Sequence, residues 1–266
     1  MKQSDEIESL IESAYEGVPS IDCSGCSGDC CVSPTMTAPE FVRMMHWARE
    51  NFGLEKLTEI LMQPSREHFL YADNAFCRFQ DPGGLCTSYQ GRAIACRLHG
   101  HEAMRAFASE GTEFCTRNPS GNTAMTSEQV EPLIENIRKA LSLSGIPYSS
   151  PYFLISLNLE CWLDFAYHPE WSKDRPALLP TRQYLDQFIE LPKLPQHRCN
   201  TTLEGKLNTI DKLFAAIEKE DSARIEALLQ ELHDDFPSCG SYFLEELAAM
   251  KEMFRPSPAN AEGVGS

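Results

Sequence analysis

The feature that most restricts this chain is where its cysteines fall. Eight of the eleven lie between residues 23 and 115, as Cys23-x2-Cys26-x3-Cys30-Cys31, then Cys77-x8-Cys86-x9-Cys96, then Cys115. The surrounding segments are punctuated by Pro19, Gly25, Gly28 and Pro34, and later by Asp81-Pro82-Gly83-Gly84, which exclude long regular elements. Polar, Gly-rich loops offer no core in which a thiol could serve as packing, so the clustering points to metal rather than burial. A C-x2-C pair in a Gly-containing turn, such as Cys23-Ser24-Gly25-Cys26, lets two thiolates face one ion at about 2.3 Å, a spacing used by zinc and iron–sulfur sites alike. Adjacent Cys30 and Cys31 diverge on an extended backbone and serve two different ions, or one ion and a structural role, more readily than they chelate one. The metal ligands read this way are Cys23, Cys26, Cys30, Cys31, Cys77, Cys86, Cys96 and Cys115. Cys161, beside Trp162 in an apolar stretch, reads as core, and Cys199 and Cys239 have no partner at ligand spacing.

The remaining composition sets the class. With 266 residues, 42% of them hydrophobic, the chain can bury a core as one large or two small domains. Asp and Glu outnumber Lys and Arg by 39 to 23, and the net charge of −16 is the wrong sign for neutralising a nucleic-acid backbone or an anionic membrane. That acidity is uneven: residues 21–120 carry nine basic and twelve acidic residues, and eight of the nine are arginines. Arg78, Arg92 and Arg97, adjacent to or four residues from a cysteine, are placed to donate hydrogen bonds to sulfur and offset thiolate charge. The N-terminal stretch lacks a continuous apolar run and a small-residue cleavage site. The most apolar window, 151–167, is broken by Asn158, Glu160 and Asp164. The expected compartment is the cytoplasm, where clustered thiols stay reduced.

Helical patterning surrounds the cysteine segments. Ile7, Leu10, Ile11, Ala14 and Tyr15 form one stripe of a short helix over 5–15, expected to pack on the C-terminal half. Thr37 with Glu40 is a capping box that opens a helix over 38–51, and another starts near Leu54, after Gly53. Short extended pieces are expected at 75–78 and 85–89. Further helices are read at 127–143, 151–167, 181–190, 202–220, 222–235 and 241–254, with N-caps at Thr126, Ser150, Thr201 and Ser222. The stripes of 202–220 and 222–235 suggest an antiparallel hairpin. The expected class is mostly α: an irregular Cys-rich metal-binding module with short helices, packed on a C-terminal all-helical region. The expected boundaries are an N-terminal helix at 1–19, the metal module at 20–122, the helical region at 123–255 and a disordered tail at 256–266.

The residues resemble the YkgJ-type cysteine-cluster family, a zinc- or iron-chelating domain, over roughly 20–120. The family's C-x2-C followed by a cysteine pair is similar to Cys23, Cys26, Cys30 and Cys31. Its second motif, a cysteine, a Gly-containing turn and then Cys-x2-Tyr-x2-Arg-Pro-x2-Cys-Arg, is similar to Cys77, Gly83, Gly84, Cys86, Tyr89, Arg92, Cys96 and Arg97. Ala93 stands where the family usually has proline. The resemblance implies metal binding through iron–sulfur clusters or Zn²⁺; the wide spacing of the second half favours iron–sulfur ligation over two C-x2-C zinc knuckles. Tyr89, Arg92 and Arg97 are the candidate groups around the cofactor. Alternatives are a metal-dependent enzyme that modifies protein side chains, since flagellin lysine methylases share a related cysteine pattern, and a zinc-stabilised module whose acidic helical half binds a protein partner. For the enzyme reading His99 and His101 are a candidate ligand or base, against a plain reading as solvent-facing loop histidines.

Overall fold

The computed structural model describes residues 3–21, 35–63, 67–68, 71–75, 77–81, 85–99, 101, 125–146, 157–173, 175, 178–194, 201–219, 221, 223–225, 227–228 and 231. The chain divides into two compact units, residues 1–204 and 205–266. Among the described residues the fold is mostly helical, as expected, with four short strands in two antiparallel pairs.

Helix α1, Gln3–Glu16, buries Ile7, Ile11, Ala14 and Tyr15, the stripe that its spacing dictates. It packs on α4, Ser127–Leu143. The two run antiparallel: the Gln3 side-chain amide donates to the Leu143 carbonyl at one end, and Asn136 Nδ2 donates to Ser13 Oγ at 3.5 Å near the other. Thr126 and Gln129 close the expected capping box at the start of α4.

Helix α2, Ala38–Met62, is two helices joined across Gly53, whose φ of 75° is outside the helical region and costs glycine nothing. Thr37 and Glu40 cap its start, and Pro39 fills a first-turn position whose N–H has no intrahelical partner. Its first half buries Phe41, Met44, Met45 and Ala48, and its second buries Leu57, Ile60 and Leu61. The helices expected at 38–51 and from Leu54 are thus both present, with the break between them at Gly53.

Strand β1, Thr35–Met36, pairs antiparallel with β4, Leu157–Asn158, which runs directly into α5, Leu159–Tyr167. The region read as all-helical thus begins its buried segment with a strand, and residues 151–156 lie outside the described residues. Trp162 Nε1 donates to the Met36 carbonyl at 2.8 Å, and its ring stacks on Phe41 at 5.8 Å. These contacts fix the chain that leaves the first cysteine motif against the core. A 3-10 turn, Pro169–Ser172, leads on towards α6, Leu179–Phe188, which packs on α2. A second pair, β2 at Glu67–His68 and β3 at Tyr71–Ala75, precedes Cys77.

In the second unit, α7, Thr201–Glu218 and so begun four residues earlier, buries Leu207, Leu213 and Ala216. The carboxylate of Asp221 accepts the Arg224 N–H at 3.1 Å at the start of the next helical residues, and the expected cap, Ser222, lies outside the described residues. Thr209 Oγ1 donates to Glu231 Oε1 at 3.0 Å, in keeping with a helical hairpin. The helix read at 241–254 and the tail at 256–266 lie outside the described residues.

Candidate metal centre

Three of the predicted ligands, Cys77, Cys86 and Cys96, are described; all are half-buried, and none is in a disulfide. Cys23, Cys26, Cys30, Cys31 and Cys115 lie outside the described residues, as do Cys199 and Cys239. Cys161 is buried within α5, as read.

A tight hairpin brings Cys77 and Cys86 together. The Cys77 carbonyl accepts the Gln80 N–H at 2.9 Å, Gln80 pairs with Cys86 in an antiparallel bridge, and the Phe79 carbonyl accepts both the N–H and the hydroxyl of Thr87 at 2.7 and 2.8 Å. The Asp81 N–H donates to the Leu85 carbonyl while the Asp81 carboxylate accepts the Leu85 N–H, an Asx-type lock on the Asp-Pro-Gly-Gly turn. Phe79 is fully buried and lies over Phe52 of α2 at 6.3 Å, so the hairpin is anchored to the core.

Burial, and next the nearby Cys86 thiol, push the Cys77 thiol well above its ordinary pKa; Cys96 and Glu160 add to this, and a hydrogen bond from the Phe79 backbone opposes it. Cys86 and Cys96 thus both bear on the Cys77 thiol, although the three come from separate stretches of sequence. Among the described residues no group of three His, Cys, Asp or Glu side chains is placed to hold a metal ion. Soft sulfur donors such as these suit zinc or an iron–sulfur cluster, and a metal bound by them would replace the thiol protons.

The turn after Cys86 continues through Gly91, where a Cβ would stand 2.7 Å from Ser88 Oγ and 2.8 Å from Trp47 Cε3, so only glycine lets the chain pass α2 this closely. Tyr89 donates its hydroxyl to the Ile21 carbonyl, two residues before Cys23, and thereby ties the second motif to the start of the first. Arg92 lies over the Tyr89 ring, 3.6 Å from its centroid. Arg97 donates to the carbonyls of Arg92 and Gln90, and burial lowers its pKa. Cys96 and Arg97 sit on α3, Ile94–Leu98. Ala93 precedes that helix with φ −64°, the value proline would fix, so the turn expected there is kept without the ring.

Two side chains differ from their sequence readings. Arg78 is not an ordinary surface arginine, and among the described residues its partners are oxygens rather than sulfur: its guanidinium grips Glu160 of α5 through three contacts of 2.6–2.9 Å and donates to the carbonyls of Leu61 and Gln63. His101 is fully buried rather than solvent-facing, with Nε2 3.1 Å from the Pro19 carbonyl and Nδ1 3.4 Å from the Met125 N–H. That pattern needs a neutral imidazole protonated on Nε2 and accepting on Nδ1, with both nitrogens engaged. His99 is half-buried at the end of α3.

Sequence reasoning missed Glu40 as anything beyond a capping residue and Tyr15 as anything beyond an apolar one. The carboxylate of Glu40 is 1% exposed and accepts from Thr37, Tyr15 and Ile94. The available signal was a glutamate at a capping-box position whose following turn, Phe41-Val42-Arg43-Met44, is apolar but for Arg43.

Residues 22–119 match the CxxCxxCC family model, whose description reads "putative zinc- or iron-chelating domain". No curated protein and no solved structure matches the chain.

Proposed function

We propose that the protein carries a metal centre in the module spanning 20–122, held by Cys23, Cys26, Cys30, Cys31, Cys77, Cys86, Cys96 and Cys115, and that the metal is iron in iron–sulfur form, with Zn²⁺ as the competing occupant. The observation that carries the reading is the hairpin that joins the Cys77 and Cys86 segments, with Cys86 and Cys96 both helping to raise the Cys77 thiol although eight and nine residues separate the three. The wide spacing of this half supports iron–sulfur over paired zinc knuckles. Tyr89, Arg92 and Arg97 are the centre's positioning groups: Tyr89 steers the chain into the first motif, while Arg92 and Arg97 stand four residues before and one residue after Cys96. An iron–sulfur cluster supplies one-electron transfer, and zinc supplies a clamp on the loops. The compartment we assign is the cytoplasm, because thiolate ligands require a reducing environment.

Anaerobic purification followed by elemental analysis, sulfide assay and a visible spectrum tests this. A coloured protein with iron and acid-labile sulfide is expected. A colourless protein with stoichiometric zinc and no sulfide overturns the iron assignment, and a protein with neither metal overturns the centre itself. Cys77→Ser and Cys86→Ser should each lower bound metal roughly tenfold or more under chelator challenge, whereas Cys161→Ala should leave it unchanged.

A further inference from the structure

We infer that Glu40 is the positioning residue for Cys96, and that Tyr15, on a helix outside the matched residues 22–119, completes its setting; the inference rests on the metal reading above. Glu40 Oε2 accepts the N–H and the hydroxyl of Thr37, both at 2.9 Å, and Oε1 accepts the Tyr15 hydroxyl at 3.1 Å and the Ile94 N–H at 2.8 Å. A carboxylate this deeply buried is tolerable only because four donors replace its water.

The donors come from three places: α1, the start of α2 and the start of α3. Ile94 is the first residue of α3, and its N-cap, Ala93, has no side-chain acceptor to offer the free N–H groups of that end. Glu40 supplies the missing acceptor from another helix. Cys96 follows two residues later on a helix of only five residues, too short to hold its own geometry. Where Cys96 points is therefore set from outside, by Glu40 at the first residue and by Arg97, which reaches back to the Arg92 and Gln90 carbonyls. Tyr15 bears on both: its hydroxyl fixes Oε1, and its ring lies 4.4 Å from the Arg97 guanidinium and 4.7 Å from that of Arg43.

Glu40→Gln separates this role from general packing. The amide oxygen can serve the Thr37 pair, but its NH₂ then faces the Ile94 N–H, donor against donor, whereas the Tyr15 hydroxyl can rotate and accept. The defect thus falls on α3. Full-length wild type, Glu40→Gln and Tyr15→Phe would be loaded with the metal found in wild type, and release to excess chelator timed alongside melting of the metal-free forms. Glu40→Gln should release metal roughly 10- to 100-fold faster. Tyr15→Phe, which keeps the Ile94 contact, should release it about two- to fivefold faster. If Glu40→Gln fails to fold, Tyr15→Phe decides. Metal-free melting lowered while release stays at the wild-type rate means a merely structural role and overturns the inference. A wild type that holds no metal overturns the metal reading and this inference with it; a metal-loaded wild type matched by both variants overturns this inference alone.

Discussion

Arg78 shows what single side chains contribute beyond the ligands. Its position beside Cys77 suggested a donor to sulfur, yet its contacts run to Glu160, 82 residues away, and to two carbonyls at the end of α2. Both partners are 11% exposed, so removal of the guanidinium strands a buried carboxylate. Arg78→Ala should destabilise the fold by about 3–5 kcal/mol, read as a lower urea midpoint with an unchanged slope. Arg78→Lys keeps the charge but not the fork, and should recover less than half of the loss. Such partners are invisible to spacing because nothing local in the sequence marks residue 160 as the acceptor. His101 escaped for the same reason: its two partners, Pro19 and Met125, lie 82 residues before it and 24 after it.

Whole elements were far more legible than their contacts. The helix over 127–143 matches α4 in full, because the capping box of Thr126 and Gln129 marks its start and an apolar stripe runs along it. Gly53 likewise marked the break in α2, since a glycine between two apolar stripes is where a positive φ costs least. Strands of two residues could not be read: β1 and β4 are too short to show alternation, and each exists only because the other pairs with it. For the candidate site the sulfur positions were legible and their support was not, since Glu40 reaches Ile94 across 54 residues. Gly53→Ala tests the α2 break. An added Cβ meets nothing within 4 Å, so the penalty is purely conformational: φ 75° with ψ 166° is a region reached essentially by glycine alone, and a loss of about 1–3 kcal/mol is expected in thermal or urea unfolding. An unchanged stability would mean that the two halves of α2 can straighten without cost.

At the scale of the molecule the question is how much of the fold depends on metal. The core of the first unit is built from Ile11, Phe41, Leu57, Leu61, Leu141, Leu159, Leu163 and Leu185, all essentially inaccessible to solvent. Each contributes about 1.5–3 kcal/mol by burial alone. The segment from Cys77 to Leu98 has a different economy: a short hairpin, a turn and a five-residue helix, held to the core by Phe79, Arg78 and the Glu40–Ile94 hydrogen bond. Stripping metal from the full chain should therefore leave α1, α2 and α4 folded and loosen the cysteine segment locally. Hydrogen exchange with and without chelator reads this directly. Amides of 77–98 should exchange roughly tenfold faster after stripping, while those of α1 and α4 keep their protection. Loss of protection across both sets would mean that the metal is integral to the core, as in small domains that fold only around zinc. Unchanged exchange at 77–98 would mean that the hairpin and α3 are held by the protein alone.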